Sequence, residues 1–231
     1  MHADSSTNDH ETRQRLLAVA ARLFAERGFK NVTIREICTE AGANVAAVNY
    51  HFRDKMGLYE TILNSTIDGS LRRREEAAKG VKAGESPEER LRAYIRVYMR
   101  SILGEQDQQQ ALFGKLMSRE WADPTPAFRI IFERALQPNW MALSAIVKEN
   151  LGVAAGDHPA EGCGGDRRVD ACTMSILGQC IIYASGKQMS EYFAPGKQFN
   201  EEIIDSIAAH ITEFSLAGMR AIAELHREVK P

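Results

Sequence analysis

The chain has 231 residues, of which 44% are hydrophobic, 26% charged and 7% aromatic, and its formal net charge at pH 7 is -2. These values are typical of an ordinary globular protein, and they exclude a disordered chain, a fibrous protein and a surface coated all over in positive charge. The length allows one globular body with a small appendage.

No apolar run approaches the roughly 18 residues that cross a bilayer, and the first residues lack the apolar stretch of a signal peptide. We therefore expect a cytoplasmic protein without membrane contact.

The four cysteines, Cys38, Cys163, Cys172 and Cys180, form no Cys-x-x-Cys pair, which favours reduced thiols over disulfides or a zinc module. His158 and Cys163 share a glycine-rich loop, but two candidate ligands without a second pair do not predict a metal. The pattern leaves a sensing role for this loop, Cys172 or Cys180 open, and no cofactor is expected.

The N-terminal part predicts short helices in close succession. Apolar residues recur with a 3.6-residue period over 11–27, and Gly28 ends that helix. Thr33 and Glu36 form a capping box, in which each side chain can bind the backbone amide of the other residue. A second helix therefore begins at Ile34, and Gly42 ends it after about two turns.

A third helix follows at once. Asn44 can cap it, and Val48 and Phe52 point to the same side of it. Asp54 can then cap a long fourth helix that runs towards Lys79. The charged run 72–76 within this fourth helix is typical of a solvated face.

The remainder predicts five more helices, and Pro138 should kink one of them. Their expected ranges are 86–104, 108–121, 126–151, 168–193 and 201–228. The fold class is therefore all-α, with about nine helices. The expected organisation is a flexible tail over 1–10, a helix-turn-helix domain over 11–57, a connecting helix and linker over 58–84, and a larger domain over 85–231.

Two short helices joined by a turn at Gly42, with the outer side of the second one free, match the helix-turn-helix motif, whose second helix enters the major groove of DNA. Over about residues 11 to 63 the chain resembles the TetR family of transcriptional regulators. The matching positions are Thr33, Ala41, Gly42, Val48, Tyr50, His51, Phe52 and Lys55. The segment 117–126 also resembles the signature of a poorly characterised subgroup.

The resemblance and the chemistry of the side chains assign the same roles. Thr33 and Arg35, at a helix N-terminus, should hold phosphate, and Lys55, Tyr50 and His51 should meet the flanking backbone. Base edges should be read by the start and the middle of the third helix, through Asn44, Val45, Ala46, Ala47 and Asn49.

Two placements stay open at this stage. Tyr50 and His51 could instead pack against the first helix. Val45 precedes Val48 by three residues, so it could face inward. Many members of the family carry a lysine or a small polar residue near the start of the third helix, where this chain has Val45, Ala46 and Ala47. The chain should therefore read an operator of its own.

The resemblance also implies a homodimer formed by the last two helices. It further implies an effector pocket, enclosed by the helices between residues 86 and 151 and by neighbouring residues. An apolar stripe with small residues predicts the dimer interface at Gly178, Ala184, Ile203, Ile207, Ile211, Phe214 and Gly218. Apolar walls with a few polar groups predict the pocket at Phe113, Met117, Trp121, Phe128, Phe132, Trp140, Gln179 and Tyr183. Either set could instead fill the core of one subunit.

The expected function is that of a ligand-responsive regulator, a repressor that a small-molecule effector releases from a palindromic operator in double-stranded DNA. Two alternatives are an all-helical interaction module without DNA binding and an enzyme. The sequence has no glycine-rich phosphate loop, metal-ligand set or catalytic triad spacing, which disfavours the enzyme. Effector, operator, sign of regulation and the number of dimers per operator are not encoded in any recognisable pattern.

Overall fold

The computed structural model describes residues 3–80, 82, 84–104, 108–153, 166–185 and 199–229. His158, Cys163 and the side chain of Ala184 lie outside the described residues. Within that part every regular element is helical and no strand occurs. No helix in it is long and apolar enough to cross a membrane.

The helices follow the predicted order. Their bounds are α1 Ala3–Arg27, α2 Ile34–Ala41, α3 Val45–Phe52, α4 Lys55–Ala78, α5 Pro87–Leu103, α6 Gln108–Ala122, α7 Phe128–Ile131, α8 Gln137–Asn150, α9 Arg167–Ser185 and α10 Glu201–Val229. When α7 and α8 are counted as one interrupted helix, the described part of the chain holds the nine helices that the sequence predicts.

The interruption between α7 and α8 is a π-helical turn over Phe132–Leu136. It ends just before Pro138, whose ring would clash with the carbonyl of residue 134 in a regular α-helix. A π-helical turn rearranges the hydrogen bonds at that point. The sequence predicted a disturbance there, and the structure shows its form.

The first helix begins at Ala3 instead of about Glu11. The tail predicted over 1–10 is therefore mostly an extension of α1. This stretch is polar and has no apolar residues at a 3.6-residue period, so the sequence did not predict the extension. The Oδ1 atom of Asp9 lies 3.2 Å from the Nε2 atom of His51, which gives the extension a contact with α3.

The chain divides into two compact units that do not follow the predicted domain boundaries. Unit 1 comprises 1–71 and 106–136, and unit 2 comprises 72–105 and 137–231. Helices α6 and α7 therefore lie in the same compact unit as the helix-turn-helix, whereas the domain over 85–231 stays a prediction. The difference arises because α6 packs on α1, a contact between residues distant in sequence.

Unit 1 has a core of apolar side chains from α1 to α4 and from α6. Three aromatic rings meet at its centre: Tyr59 lies 5.1 Å from Phe24 and 4.9 Å from Phe29, between ring centroids. Arg119 of α6 donates to the backbone carbonyls of Ala25 and Glu26 at the end of α1. The core and these bonds fix the position of the helix-turn-helix within unit 1.

Unit 2 is built around α5, which packs against α8, α9 and α10. One side of α5 is fully buried, at residues spaced four apart: Leu91, Ile95, Met99 and Leu103. At its edge Arg100 donates two hydrogen bonds to Asp205 of α10, at 2.9 and 2.7 Å. This bidentate hydrogen bonding by Arg100 lowers the pKa of Asp205.

Candidate nucleic-acid interface

The N-terminus of α2 and the turn between α2 and α3 have the geometry that the sequence predicts. Thr33 accepts a hydrogen bond from the Glu36 amide at 3.2 Å, and the Glu36 carboxylate accepts one from the Thr33 amide at 2.7 Å. Gly42 has a φ of 61°, a left-handed conformation that glycine adopts without strain. Asn44 then caps α3 by accepting from the Ala46 amide at 3.0 Å.

The inner side of α3 carries its attachment to the rest of unit 1. Val48 and Phe52 are buried in the core, together with Ile37 and Ala41 of α2. These contacts leave the opposite side of a two-turn helix free. Such a helix has little stability of its own, so its docked side is what keeps it folded.

The outer side of α3 is exposed and lacks large charged groups. Asn44, Val45, Ala46 and Asn49 are exposed, and Tyr50 is 77% exposed. Val45 therefore faces outward, which settles the orientation that the spacing left open. This surface offers one free amide, two small apolar side chains and a phenol, a combination that can hydrogen-bond adenine and contact thymine methyl groups.

Two of the predicted contact residues do not lie on this surface. The His51 side chain is only 8% exposed, and its Nε2 atom lies 3.2 Å from Asp9 of α1. Ala47 is half-buried and packs against the core of unit 1. The two residues are four apart, so they share the side of α3 that turns towards α1. The expectation that His51 faces DNA is therefore corrected, whereas Tyr50 does face outward.

The N-terminus of α2 contains a candidate phosphate site. Thr33 and Arg35 are exposed there. A hydrogen bond from Arg27, followed by those from Thr33, lowers the pKa of Glu36 to about 2. The Glu36 carboxylate thus already accepts the hydrogen bond from the Thr33 amide at this end of α2. Arg35 supplies the positive charge that a phosphate needs.

Lys55, the first residue of α4, is half-buried. Its ammonium lies 4.3 Å from the centroid of the Phe29 ring, a cation–π contact. Burial lowers its pKa, an effect that the nearby Glu36 partly offsets. Lys55 is therefore held close to the N-terminus of α2, where Thr33 and Arg35 lie.

Arg53 is a candidate contact residue that sequence reasoning missed. It follows α3 directly, it is exposed, and among the described residues it is the one non-glycine with a positive φ, at 72°. Its amide donates to the Asn49 carbonyl at 3.1 Å. The signal was available, because arginine stands where a turn between helices favours glycine or asparagine.

The residues predicted to line an effector pocket are divided between the two units. Unit 1 contains Phe113, Met117, Trp121, Phe128 and Phe132, and unit 2 contains Trp140, Gln179 and Tyr183. Trp121 is 57% exposed and stacks edge-on with Phe128. Gln179 bridges α9 and α10 through a 3.5 Å contact with Ser215. Neither unit alone brings the predicted set together.

The predicted interface residues fall into two groups. Gly178, Phe214 and Gly218 are exposed. Ile203 and Ile207 are half-buried, and Ile211 is buried in the core of unit 2. Ile211 lies at the edge of the stripe next to Ala208, so its side chain is used within one subunit. The expectation that Ile211 contributes to an interface is corrected.

Among the described side chains no cluster of three potential metal ligands occurs. Cys38, Cys172 and Cys180 are free and buried. Burial raises the pKa of Cys180 to about 12, which leaves the thiol protonated and unreactive at neutral pH.

A helix-turn-helix with an exposed second helix, in an all-helical chain, defines a DNA-binding regulatory protein. Two family models match: that of the bacterial regulatory proteins of the tetR family at residues 16–62, and that of the C-terminal domain of the HTH-type transcriptional dual regulator CecR at residues 87–219. The chain belongs to the TetR family of transcriptional regulators, with a C-terminal domain of the CecR type. Its relatives are regulators of transcription and not enzymes.

The HTH-type transcriptional dual regulator CecR of Shigella flexneri is 26% identical over 207 residues, which cover 87% of this chain and 88% of that protein. Among solved structures, AibR in complex with isovaleryl coenzyme A and operator DNA has a TM-score of 0.56 at 19% identity, over 88% of this chain and 97% of that one. A transcriptional regulator from Saccharomonospora viridis in complex with choline has a TM-score of 0.54 at 18% identity, over 89% and 95%. At these identities the two structures show the common fold.

Proposed function

We propose that the protein is a homodimeric repressor of the bacterial cytoplasm that binds a palindromic operator and leaves it when a small-molecule effector binds. The exposed side of α3 carries this proposal. The side chains of Asn49 and Tyr50 are exposed, while Val48 and Phe52 anchor the same helix. Two such helices related by a twofold axis would enter successive major grooves.

The proposed base contacts come from Asn49, Val45 and Ala46. The Asn49 amide can form two hydrogen bonds with adenine, and the two apolar side chains can meet thymine methyl groups. Asn44 contributes less, because its side-chain oxygen already caps α3. Thr33, Arg35, Tyr50, Arg53 and Lys55 form the proposed contacts with the DNA backbone.

An exposed apolar surface on α9 and α10 supports the homodimer. Met174 and Ile182 of α9 are exposed, as are Phe214 and Leu225 of α10. Phe214 and Leu225 are separated by about three turns of α10, so they lie on the same side of that helix. A Cβ added to Gly218 would meet no atom within 4 Å, so another chain can approach closely there.

One of the similar structures supports a response to a small-molecule ligand, and release from the operator is the form of response that we propose. AibR was crystallised with both isovaleryl coenzyme A and operator DNA. A ligand can bind more tightly to the conformer that does not bind DNA than to the conformer that does. It then lowers operator affinity to the extent that its own affinities for the two conformers differ.

The test is selection of bound fragments from genomic DNA by the purified full-length chain. We expect recovered fragments to share a palindrome, and Asn49→Ala to recover a more diverse set. Recovery of no enriched sequence would overturn the proposed function. Compounds related to the neighbouring genes would then be tested for release of the fluorescently labelled operator.

A further inference from the structure

The arginine run at the end of α4 is only partly the solvated surface that its sequence predicts. Arg72 is exposed, but Arg74 is half-buried. Its guanidinium carbon lies 5.0 Å from the ring centroid of Tyr94 and 5.6 Å from that of Tyr98, both on α5. All three residues belong to unit 2.

The two tyrosine rings form a rigid support. They are nearly parallel, with an interplanar angle of 8° and centroids 6.1 Å apart. The Tyr94 hydroxyl donates to the backbone carbonyl of Asn139 on α8 at 3.1 Å, which fixes its ring. Burial raises the pKa of Tyr98, so its hydroxyl stays protonated and remains a hydrogen-bond donor at neutral pH.

Arg74 has the two rings as its neighbours but no carboxylate. It forms no ion pair with any residue in the described part of the chain. Glu76, two residues further along α4, is instead paired with Lys79. Arg74 also forms a hydrogen bond with the Tyr94 side chain. A guanidinium has five N–H donors, so a partly desolvated one retains others, and its planar fork suits a carboxylate or a phosphate.

We propose that Arg74, supported by Tyr94 and Tyr98, binds the anionic group of a small organic ligand. The proposal rests on the ligand-responsive function proposed above and names the chemical class of the effector. Aromatic faces alone would suit a quaternary ammonium group. Here they already hold a guanidinium, which repels a second cation and attracts an anion. The ligand class therefore differs from choline, the molecule bound by the regulator from Saccharomonospora viridis.

The position of Arg74 also links such a ligand to the DNA-binding part of the chain. Arg74 lies on α4, the same continuous helix that begins with Lys55. A ligand that restrains the Arg74 end of α4 can therefore change the conformers available to the helix as a whole.

The probe for this site is anilinonaphthalene sulfonate, an aromatic sulfonate whose fluorescence rises on binding. Its uncharged relative, N-phenyl-naphthylamine, is the matched probe without the anionic group. Both are titrated into the full-length protein and into Arg74→Gln, with Arg72→Gln as a control for an exposed arginine two residues away. Circular dichroism verifies that each variant is folded.

We expect Arg74→Gln to weaken sulfonate binding about tenfold, as loss of a charge-assisted hydrogen bond predicts, and to leave the uncharged probe unchanged. Arg72→Gln should bind both probes like the wild type, and Arg74→Lys should retain part of the affinity. Equal binding of the sulfonate by wild type and Arg74→Gln would overturn the proposal. So would an equal loss of both probes, or a wild type that does not saturate with the sulfonate.

DNA binding by the same proteins without probe is an independent readout. Failure of the wild type to enrich any DNA would overturn the proposed regulator and leave the anion site standing. Normal DNA binding together with an Arg74-independent sulfonate site would overturn only the inference made for Arg74.

Discussion

The Tyr59 hydroxyl of α4 donates a 2.7 Å hydrogen bond to the carboxylate of Glu120 on α6, and both side chains are buried at 1% exposure. Glu120 also accepts from the amide and the hydroxyl of Thr125, at 3.0 and 2.8 Å. The carboxylate therefore ties α6 and the following turn to the core beneath the helix-turn-helix. Burial, followed by this hydrogen bond, raises the pKa of Tyr59.

Replacing Glu120 by alanine should lower the free energy of unfolding by about 3 kcal/mol, because three buried donors would lose their acceptor. Tyr59→Phe should lower it by about 1 kcal/mol, since one donor is removed and the ring is kept. Urea unfolding measures both, and the double variant should be less destabilised than the sum. A change under about 0.5 kcal/mol for Glu120→Ala would show that water replaces the carboxylate.

This network could not be predicted from the sequence. Glu120 lies in a polar stretch of α6, and its partner Tyr59 is 61 residues away. Local patterns reveal caps and turns, such as Thr33 with Glu36 and the glycine at 42, because their atoms are close in sequence. They do not reveal which helices pack together, so the packing of α6 on α1 was not predicted.

Arg53 combines backbone strain with exposure at the end of α3, so its replacements should separate stability from DNA binding. Arg53→Gly should raise the free energy of unfolding by about 1 kcal/mol, because glycine adopts a φ of 72° without strain. It should also weaken binding to all DNA sequences and reduce the slope of log affinity against log salt by about 1, as loss of one phosphate contact predicts.

Two further variants make this test specific. Arg53→Lys keeps the charge and the strain, and should bind DNA nearly as the wild type does. Arg53→Ala loses the charge but keeps the strain, so it should match Arg53→Gly in DNA binding and not in stability. Fluorescence anisotropy at several salt concentrations gives the slopes. An unchanged slope for Arg53→Gly would place the guanidinium away from the phosphates.

Asn49 should affect sequence preference more than overall affinity. Asn49→Ala should weaken binding to the selected operator by about 1–3 kcal/mol and leave binding to unrelated DNA nearly unchanged, because an amide pairs with adenine and not with phosphate. The same competition assay with Gln109→Ala, an exposed amide on α6, is the control. Equal losses on both kinds of DNA would argue that Asn49 positions α3 instead of reading bases.

The charge of Glu36 should make the stability of unit 1 depend on pH. Its pKa is about 2 in the folded protein, below its ordinary value of 4.5, so the stabilisation is complete above about pH 4.5 and is lost as pH falls through 2. Glu36→Gln should therefore have a lower Tm than the wild type at pH 7, and the difference should vanish near pH 2. A difference that stays constant over this range would exclude the charge as its cause.

In α3 the sequence pattern predicted which side chains are buried, but packing against α1 determined the exposure of His51. Val48 and Phe52 were assigned to the core from their spacing, and the structure buries both. His51 was assigned outward because its family position suggests DNA, yet its side chain is only 8% exposed and lies against Asp9 of α1. The extension has no apolar period, so no pattern within 1–10 predicted it. The spacing of Val45 from Val48 likewise left its exposure open, and the structure shows Val45 exposed.

The apolar surface of α9 and α10 should determine whether the protein is a dimer. Phe214 is 64% exposed, so a carboxylate placed there would be desolvated against a partner chain. Phe214→Glu should convert the dimer to a monomer in sedimentation analysis and abolish high-affinity binding to the palindromic operator, while a single half-site is still bound weakly. Met141→Glu, at an equally exposed apolar residue of α8, should remain dimeric. A Phe214→Glu protein that stays dimeric would place the interface elsewhere in the chain.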